Sequence, residues 1–225
     1  KFDDDNAEVL TSAIFEAAES ITCDSVKVHI MSCVRDLAVS HFDLVLTEIL
    51  ETGPTYSKVQ AQAIQTLGKE KGTLLKFLNN LTDTINNSDP DPAGQGGLEG
   101  DDNWERIVIA ATVVLGILLR VDDSSLRLVV KKYFAELFCT LLIRFGTCSN
   151  TQTKGATMFT LHQLLLASNN HSMALSVERL PAYSHYKSSL PNDFRDVDAM
   201  DVDVIDDGPD LPGSDTSVVV GDLMT

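Results

Sequence analysis

Apolar residues recur at three- and four-residue steps through most of the first 180 positions, the period of one face of an α-helix. Asn6 is placed to cap a first helix running to about Ser20, with Val9, Leu10, Ala13, Ile14 and Ala17 on its apolar side. Asp24 or Ser25 caps a second, whose stripe of Val26, Ile30, Cys33 and Leu37 follows steps of four, three and four. Ser40 and His41 interrupt it as a turn. Asp43 then opens a short helix carrying Val45, Leu46, Ile49 and Leu50, which Gly53 and Pro54 end. A fourth helix, about Ser57 to Lys69, presents Val59, Ala63 and Leu67, and a fifth, about Gly72 to Asn87, presents Leu74, Leu78, Leu81 and Ile85.

The pattern breaks between Ser88 and Asp102, where SDPDPAGQGGLEGDD offers almost nothing to bury and reads as a flexible linker. It resumes near Asn103. The run from Ile107 to Leu119 carries no charge, which predicts a helix buried on most sides, yet it falls well short of the roughly 18 to 20 residues that a bilayer span needs. Asp122, Asp123 and Ser124 connect it to a helix of about Ser125 to Phe145 with the clearest stripe in the chain: Leu126, Val130, Phe134, Leu137, Phe138, Leu141, Leu142 and Phe145. Gly146 is expected to stop that helix. A further helix over about Lys154 to Ser168 turns Met158, Leu161 and Leu165 inward, and a weaker one runs from Ser172 to Leu180. From Pro181 onward the expectation is disorder.

No strand alternation competes with this reading before residue 180, and amphipathic helices joined by short links bury their stripes by stacking as hairpins. The expected fold is therefore all-α, a HEAT/armadillo-like solenoid of antiparallel helix pairs with a disordered acidic C-terminal tail. Its parts are repeats at 1–87, a linker at 88–102, repeats at 103–180 and the tail at 181–225. A closed bundle of about eight helices is the alternative. Two stretches add a resemblance. VHIMSCVRDLAVSHFDLVLTEIL (residues 28–50) and IVIAATVVLGILLRVDDSSLRLVVKKYFAELFCTLLIRFGT (residues 107–147) resemble the maestro HEAT-like repeat proteins. That resemblance implies a piece of a much larger solenoid acting through protein contacts, with no catalytic residues to carry over. The beginning at Lys1, with helical patterning almost at once, is likewise what a piece of a longer polypeptide shows.

Charge sharpens the picture at one end. The formal net charge is −16, and the segment from Ser188 to Thr225 holds ten Asp, no Glu, one Arg and no Lys, so −9 of it sits there. Phosphate binding needs clustered Lys and Arg, and the nearest thing to a cluster is the mild spread of Arg120, Arg127, Lys131, Lys132 and Arg144, so no nucleic-acid partner is expected. Cys23, Cys33, Cys139 and Cys148 show no Cys-x-x-Cys spacing, and Cys33 and Cys139 fall inside apolar patterns where a thiol is expected to be buried. Reduced thiols fit the cytoplasm, with the nucleus as the alternative. Asn80, Asn86 and Asn170 each open a glycosylation sequon, a pattern short enough to arise by chance.

Candidate chemistry is sparse. Gly94, Gly96, Gly97 and Gly100 suggest a phosphate loop, but Glu99 holds the last glycine position of G-x-G-x-x-G and no strand precedes it. His29, His41, His162, His171 and His185 lack ligand spacing; His29 and His162 read as helix-flank residues. There is no Gly-x-Ser-x-Gly elbow and no cysteine with a reason for a lowered pKa, so neither enzyme activity nor a cofactor is expected. The charged faces of Lys131, Lys132, Glu136 and Arg144, and of Arg35, Asp36 and Glu48, read as solvated positions that a protein partner could meet. The acidic segment holds one specific pattern. Val202, Val204 and Ile205 followed by Asp206 and Asp207 look like a SUMO-interacting motif, in which a short aliphatic strand adds to a sheet edge. Function then reads as a non-catalytic scaffold for other proteins of unknown identity, with SUMO binding through the tail or a pocket between the helices of a compact bundle as alternatives.

Overall fold

The computed structural model describes residues 4–18, 20–87, 98–120 and 124–190. Helices account for nearly all of them: α1 (Asp4–Ala18), α2 (Asp24–Ser40), α3 (Phe42–Thr52), α4 (Lys58–Leu67), α5 (Lys71–Asn86), α6 (Leu98–Leu118), α7 (Ser124–Thr147), α8 (Thr151–Ala167), α9 (His171–Glu178) and α10 (Pro181–Ser189). No strand occurs among the described residues.

The helix ends follow from local chemistry. At the start of α4 the Gln60 amide donates to Ser57 Oγ at 3.3 Å and the Ser57 amide donates to Gln60 Oε1 at 2.9 Å, so each residue satisfies a backbone group of the other. The Glu70 carboxylate accepts from the first amides of α5, and Asn150 accepts from Gln152 N–H at 2.8 Å to open α8. α3 stops at Gly53, whose φ of 102° an L side chain rarely adopts. α8 closes with Asn169 at φ 64°, where Asn169 N–H donates to the Leu166 carbonyl at 3.0 Å and Asn170 N–H to that of Leu165 at 2.8 Å, a Schellman arrangement.

The helices stack in two layers. In one, α2 packs on α4, α4 on α6, α6 on α8 and α8 on α10; against it lie α1 on α3 and α5 on α7, with α3 and α5 touching α6 and α7 touching α8. Helices that mostly meet the next but one are what stacked hairpins produce, so the chain has a helical-repeat arrangement. Two helices form its centre. Every residue of α6 and its exit from Val108 to Leu119 is buried, as is every residue of α8 from Gly155 to Leu165. Buried hydroxyls there find backbone acceptors: Thr160 donates to the Thr112 carbonyl at 2.6 Å, Thr112 to Val108 at 2.8 Å and Thr157 to Thr153 at 2.7 Å. Close approach depends on two glycines. A Cβ at Gly116 would stand 2.8 Å from Phe159 Cε1 and Thr160 Oγ1, and one at Gly155 would stand 2.6 Å from Tyr186 Cβ.

Several expectations change. On α1 the buried positions are Thr11 and Phe15, and Val9 is 71% exposed; on α2 they are Val34 and Ala38, with Ile30, Met31 and Leu37 half-buried. Aliphatic residues occur on more than one side of both helices, so neighbouring helices and not the period select the inward face. Cys33 and Cys139 are accordingly exposed, and Leu142, expected on the inner stripe of α7, is 44% exposed. α6 begins at Leu98, inside the expected linker. Residues 88–97 lie outside the described residues. Gly146 stays inside the last turn of α7. Pro181 starts α10 where disorder was expected, because a proline at the first helical position gives up only an amide that has no helical partner. α8 is buried around its circumference and not along one stripe.

Candidate functional site

Three concavities and one buried polar network carry the residues with chemistry. The first concavity is a cleft of about 490 Å³ between the α3–α4 connection, α6, α8 and α10. Its walls are apolar and aromatic, with Val113 and Ile117 of α6, Phe159 of α8, and Tyr56 and Tyr186. Tyr56 is held by its hydroxyl, which donates to the Ile49 carbonyl at 2.8 Å and ties the connection back onto α3. Burial pushes the phenols of both Tyr56 and Tyr186 well above their ordinary value. The rim is mostly polar: Asn150, Thr151 and Gln152 bring the N-terminus of α8, while His185 and Ser189, followed by the apolar Leu190, bring the end of α10.

Two guanidinium groups flank that cleft. Arg106 lies beside Gly53, with Nη1 3.6 Å from the place a Cβ would take, and Arg120 lies 5.3 Å above the Phe159 ring. Positions 106, 113 and 117 are separated by seven and four residues, so Arg106 shares the α6 face that forms the cleft floor, whereas Arg120 follows two residues after the end of α6.

A second concavity, about 610 Å³, runs between α2 and α4 and is lined by Lys27, Arg35 and Lys69, by exposed Val28 and half-buried Met31, and by neutral polar side chains. Among the described residues no carboxylate lines it, although Asp36 lies 3.4 Å from Arg35 at its edge. A third, about 470 Å³ between α1, α3 and α4, is acidic, with Glu16, Glu48 and Glu51.

The buried network joins the last three helices. His162 is 1% exposed; its Nε2 lies 3.0 Å from a Glu178 carboxylate oxygen, and its Nδ1 lies 3.2 Å from the Tyr183 hydroxyl and from Gln163 Nε2. A carboxylate only accepts, so Nε2 carries a hydrogen directed at Glu178. The imidazole is shut away from solvent and links α8 to α9 and α10, which is a positioning role. It is not the helix-flank residue that the sequence pattern predicts. Among the described residues no group of three or more His, Cys, Asp or Glu side chains could hold a metal ion, and no helix is long and apolar enough to cross a membrane.

With this geometry in view, comparison with known proteins gives one relevant likeness. The chain is 28% identical over 148 residues to Maestro heat-like repeat-containing protein family member 1 of Dictyostelium discoideum, an alignment covering 64% of this chain and 9% of that relative. The chain thus spans less than a tenth of the length of the curated relative it matches. No family model matches it, and no solved structure matches it. The relative is named for HEAT-like repeats, and a two-layer stack of helices is an arrangement of that kind.

The sequence-derived site residues fall in two groups. Val202, Val204, Ile205, Asp206 and Asp207 lie outside the described residues. Lys131, Lys132, Glu136, Arg35 and Asp36 are exposed, and Glu48 and Arg144 are half-buried. The structure brings Arg35 together with Lys27 and Lys69, and Glu48 together with Glu16 and Glu51, groupings that no single helix face displays. One thiol departs from expectation. The Ser25 hydroxyl, 3.1 Å from the Cys23 sulfur, together with backbone amides at Val26 and Ser25, holds Cys23 below its ordinary pKa, whereas burial pushes Cys148 up.

Proposed function

We propose that this chain is a segment of a helical-repeat scaffold that holds other proteins and performs no catalysis itself. The observation that carries the reading is the groove between α2 and α4. In a chain with 33 acidic and 17 basic residues, it gathers Lys27, Arg35 and Lys69 around exposed Val28, with no carboxylate among the described residues of its lining. Such a groove suits a partner segment that alternates acids with small apolar side chains, the charges setting encounter and register and the apolar floor supplying desolvation. The likeness to a protein named for HEAT-like repeats supports the same reading. The four thiols are free of disulfide bonds, which suits the cytoplasm or nucleus.

The test is proximity labelling with the full-length protein, comparing the natural groove with a Lys27→Glu, Arg35→Glu, Lys69→Glu variant, followed by reconstitution of each candidate with purified protein. A partner that binds the natural protein and loses most of its affinity for the variant supports the proposal. A set of neighbours indifferent to these charges would overturn the groove as the binding surface, and turnover of a small molecule traced to this chain would overturn the scaffold reading.

A further inference from the structure

We infer that the cleft between α6, α8 and α10 is the docking site of this chain's own acidic segment at residues 193–201, with Phe194 as its apolar anchor. Position comes first. The chain leaves the described residues at Leu190, which itself lines the cleft. Phe194 follows four residues later and is the sole aromatic residue in the 35 positions after Leu190. Four extended residues reach roughly 13 Å, enough to turn back into the cleft and too little to wander far from it.

Chemical complementarity comes second. The floor of Val113 and Ile117 and the aromatic wall of Phe159 and Tyr186 suit an aromatic anchor, and at about 490 Å³ the space admits more than one side chain. Arg106, on the floor's own helix face beside Gly53, and Arg120, just past the end of α6 and over the Phe159 ring, stand near opposite ends of that floor. Residues 193–201 read DFRDVDAMD. Asp193, Asp196, Asp198 and Asp201 supply acids at close spacing, and Phe194, Val197 and Met200 recur every third position between them. An apolar strip bracketed by cations thus faces a segment of apolar residues interleaved with acids. The alternative resting place, the α2–α4 groove, has the charge but lacks the aromatic wall, and it is not where the chain departs. This inference is independent of the scaffold reading.

The experiment places the photo-crosslinker p-benzoyl-phenylalanine at Phe194 of the full 225-residue chain and maps the adducts by mass spectrometry. The expected result is crosslinking within one molecule, independent of protein concentration, to residues 113–117, 150–159 or 185–190. Its yield should fall several-fold in Arg106→Glu and in molar salt, which screens exposed charges. Circular dichroism of Arg106→Glu confirms that the variant folds; if it does not, the salt series on the natural sequence decides alone. Adducts that form between molecules, scatter over the surface or fall on the α2–α4 groove would overturn the inference. So would adducts in the cleft whose yield ignores both charge and salt.

Discussion

At the scale of single residues, environment decides what each thiol and imidazole can do. Cys23 and Cys148 have the same side chain, yet one meets a hydroxyl and backbone amides in the open and the other is drawn into apolar surroundings. A lowered pKa means more thiolate near neutral pH, and a raised one means less. Iodoacetamide at near-neutral pH should therefore modify Cys23 well before Cys148, as mass spectrometry of a time course would show; faster labelling of Cys148 would contradict the assignment. Neither outcome was readable beforehand, because the relevant partner of Cys23 is a hydroxyl two positions away whose rotamer no pattern specifies. His162 makes the same point. Its neighbours Leu161, Leu164 and Leu165 advertise an apolar helix, but Glu178 and Tyr183 reach it from two other helices, and a one-dimensional pattern contains no trace of that convergence.

Among the elements, the stripes of two helices match the structure throughout: Leu74, Leu78, Leu81 and Ile85 of α5, and Val45, Leu46, Ile49 and Leu50 of α3, are all buried, whereas the more prominent stripe of α7 has Leu142 exposed and Phe134, Phe138 and Phe145 half-buried. Each of α3 and α5 has one apolar side, so its period leaves a single choice. α1 and α2 offer several, and there the expected stripe is only partly inward: Ile14, Ile30 and Leu37 pack against the core, while Val9, Val26 and Cys33 are exposed. Helix crossings were less legible still, since Gly116 and Gly155 look like helix weaknesses until the partner helix is seen against them. Three glycines in helices separate the two roles. Gly155→Ala drives a Cβ into the Cβ of Tyr186, an atom fixed close to its backbone, and Gly116→Ala meets the Phe159 ring and the Thr160 hydroxyl. Both should destabilise by about 1 to 3 kcal/mol, the usual cost of overpacking. Gly146→Ala meets nothing within 4 Å and should stabilise by up to about 1 kcal/mol through the unfolded chain. Denaturant midpoints with unchanged slopes would report these signs; a midpoint for Gly155→Ala at or above that of the parent would refute the close-packed crossing.

Across the whole molecule, burial is concentrated in α6 and α8 and thins toward the edges. α8 touches α6, α7, α9 and α10, whereas α1 meets neighbours mainly on one side and α10 rests on α8 and α9. Local opening follows such differences in contact, so amide hydrogen exchange should be slowest in Val108–Leu119 and Gly155–Leu165 and fastest in α1 and α10. Equal protection of α1 and α8 would argue against a structure organised around two central helices. The long uncharged run at 107–119 did announce one of them. The other, with Lys154, His162 and several threonines in its sequence, disguised itself as an ordinary one-sided helix.

The all-round burial of α6 also bears on how the polypeptide is made. During translation its greasy rod leaves the ribosome while α8, which must cover one flank, is still unsynthesised. Over that interval the nascent protein shows bare aliphatic surface to the cell, and a pause or truncation between the two helices would hand that species to chaperones or to aggregation.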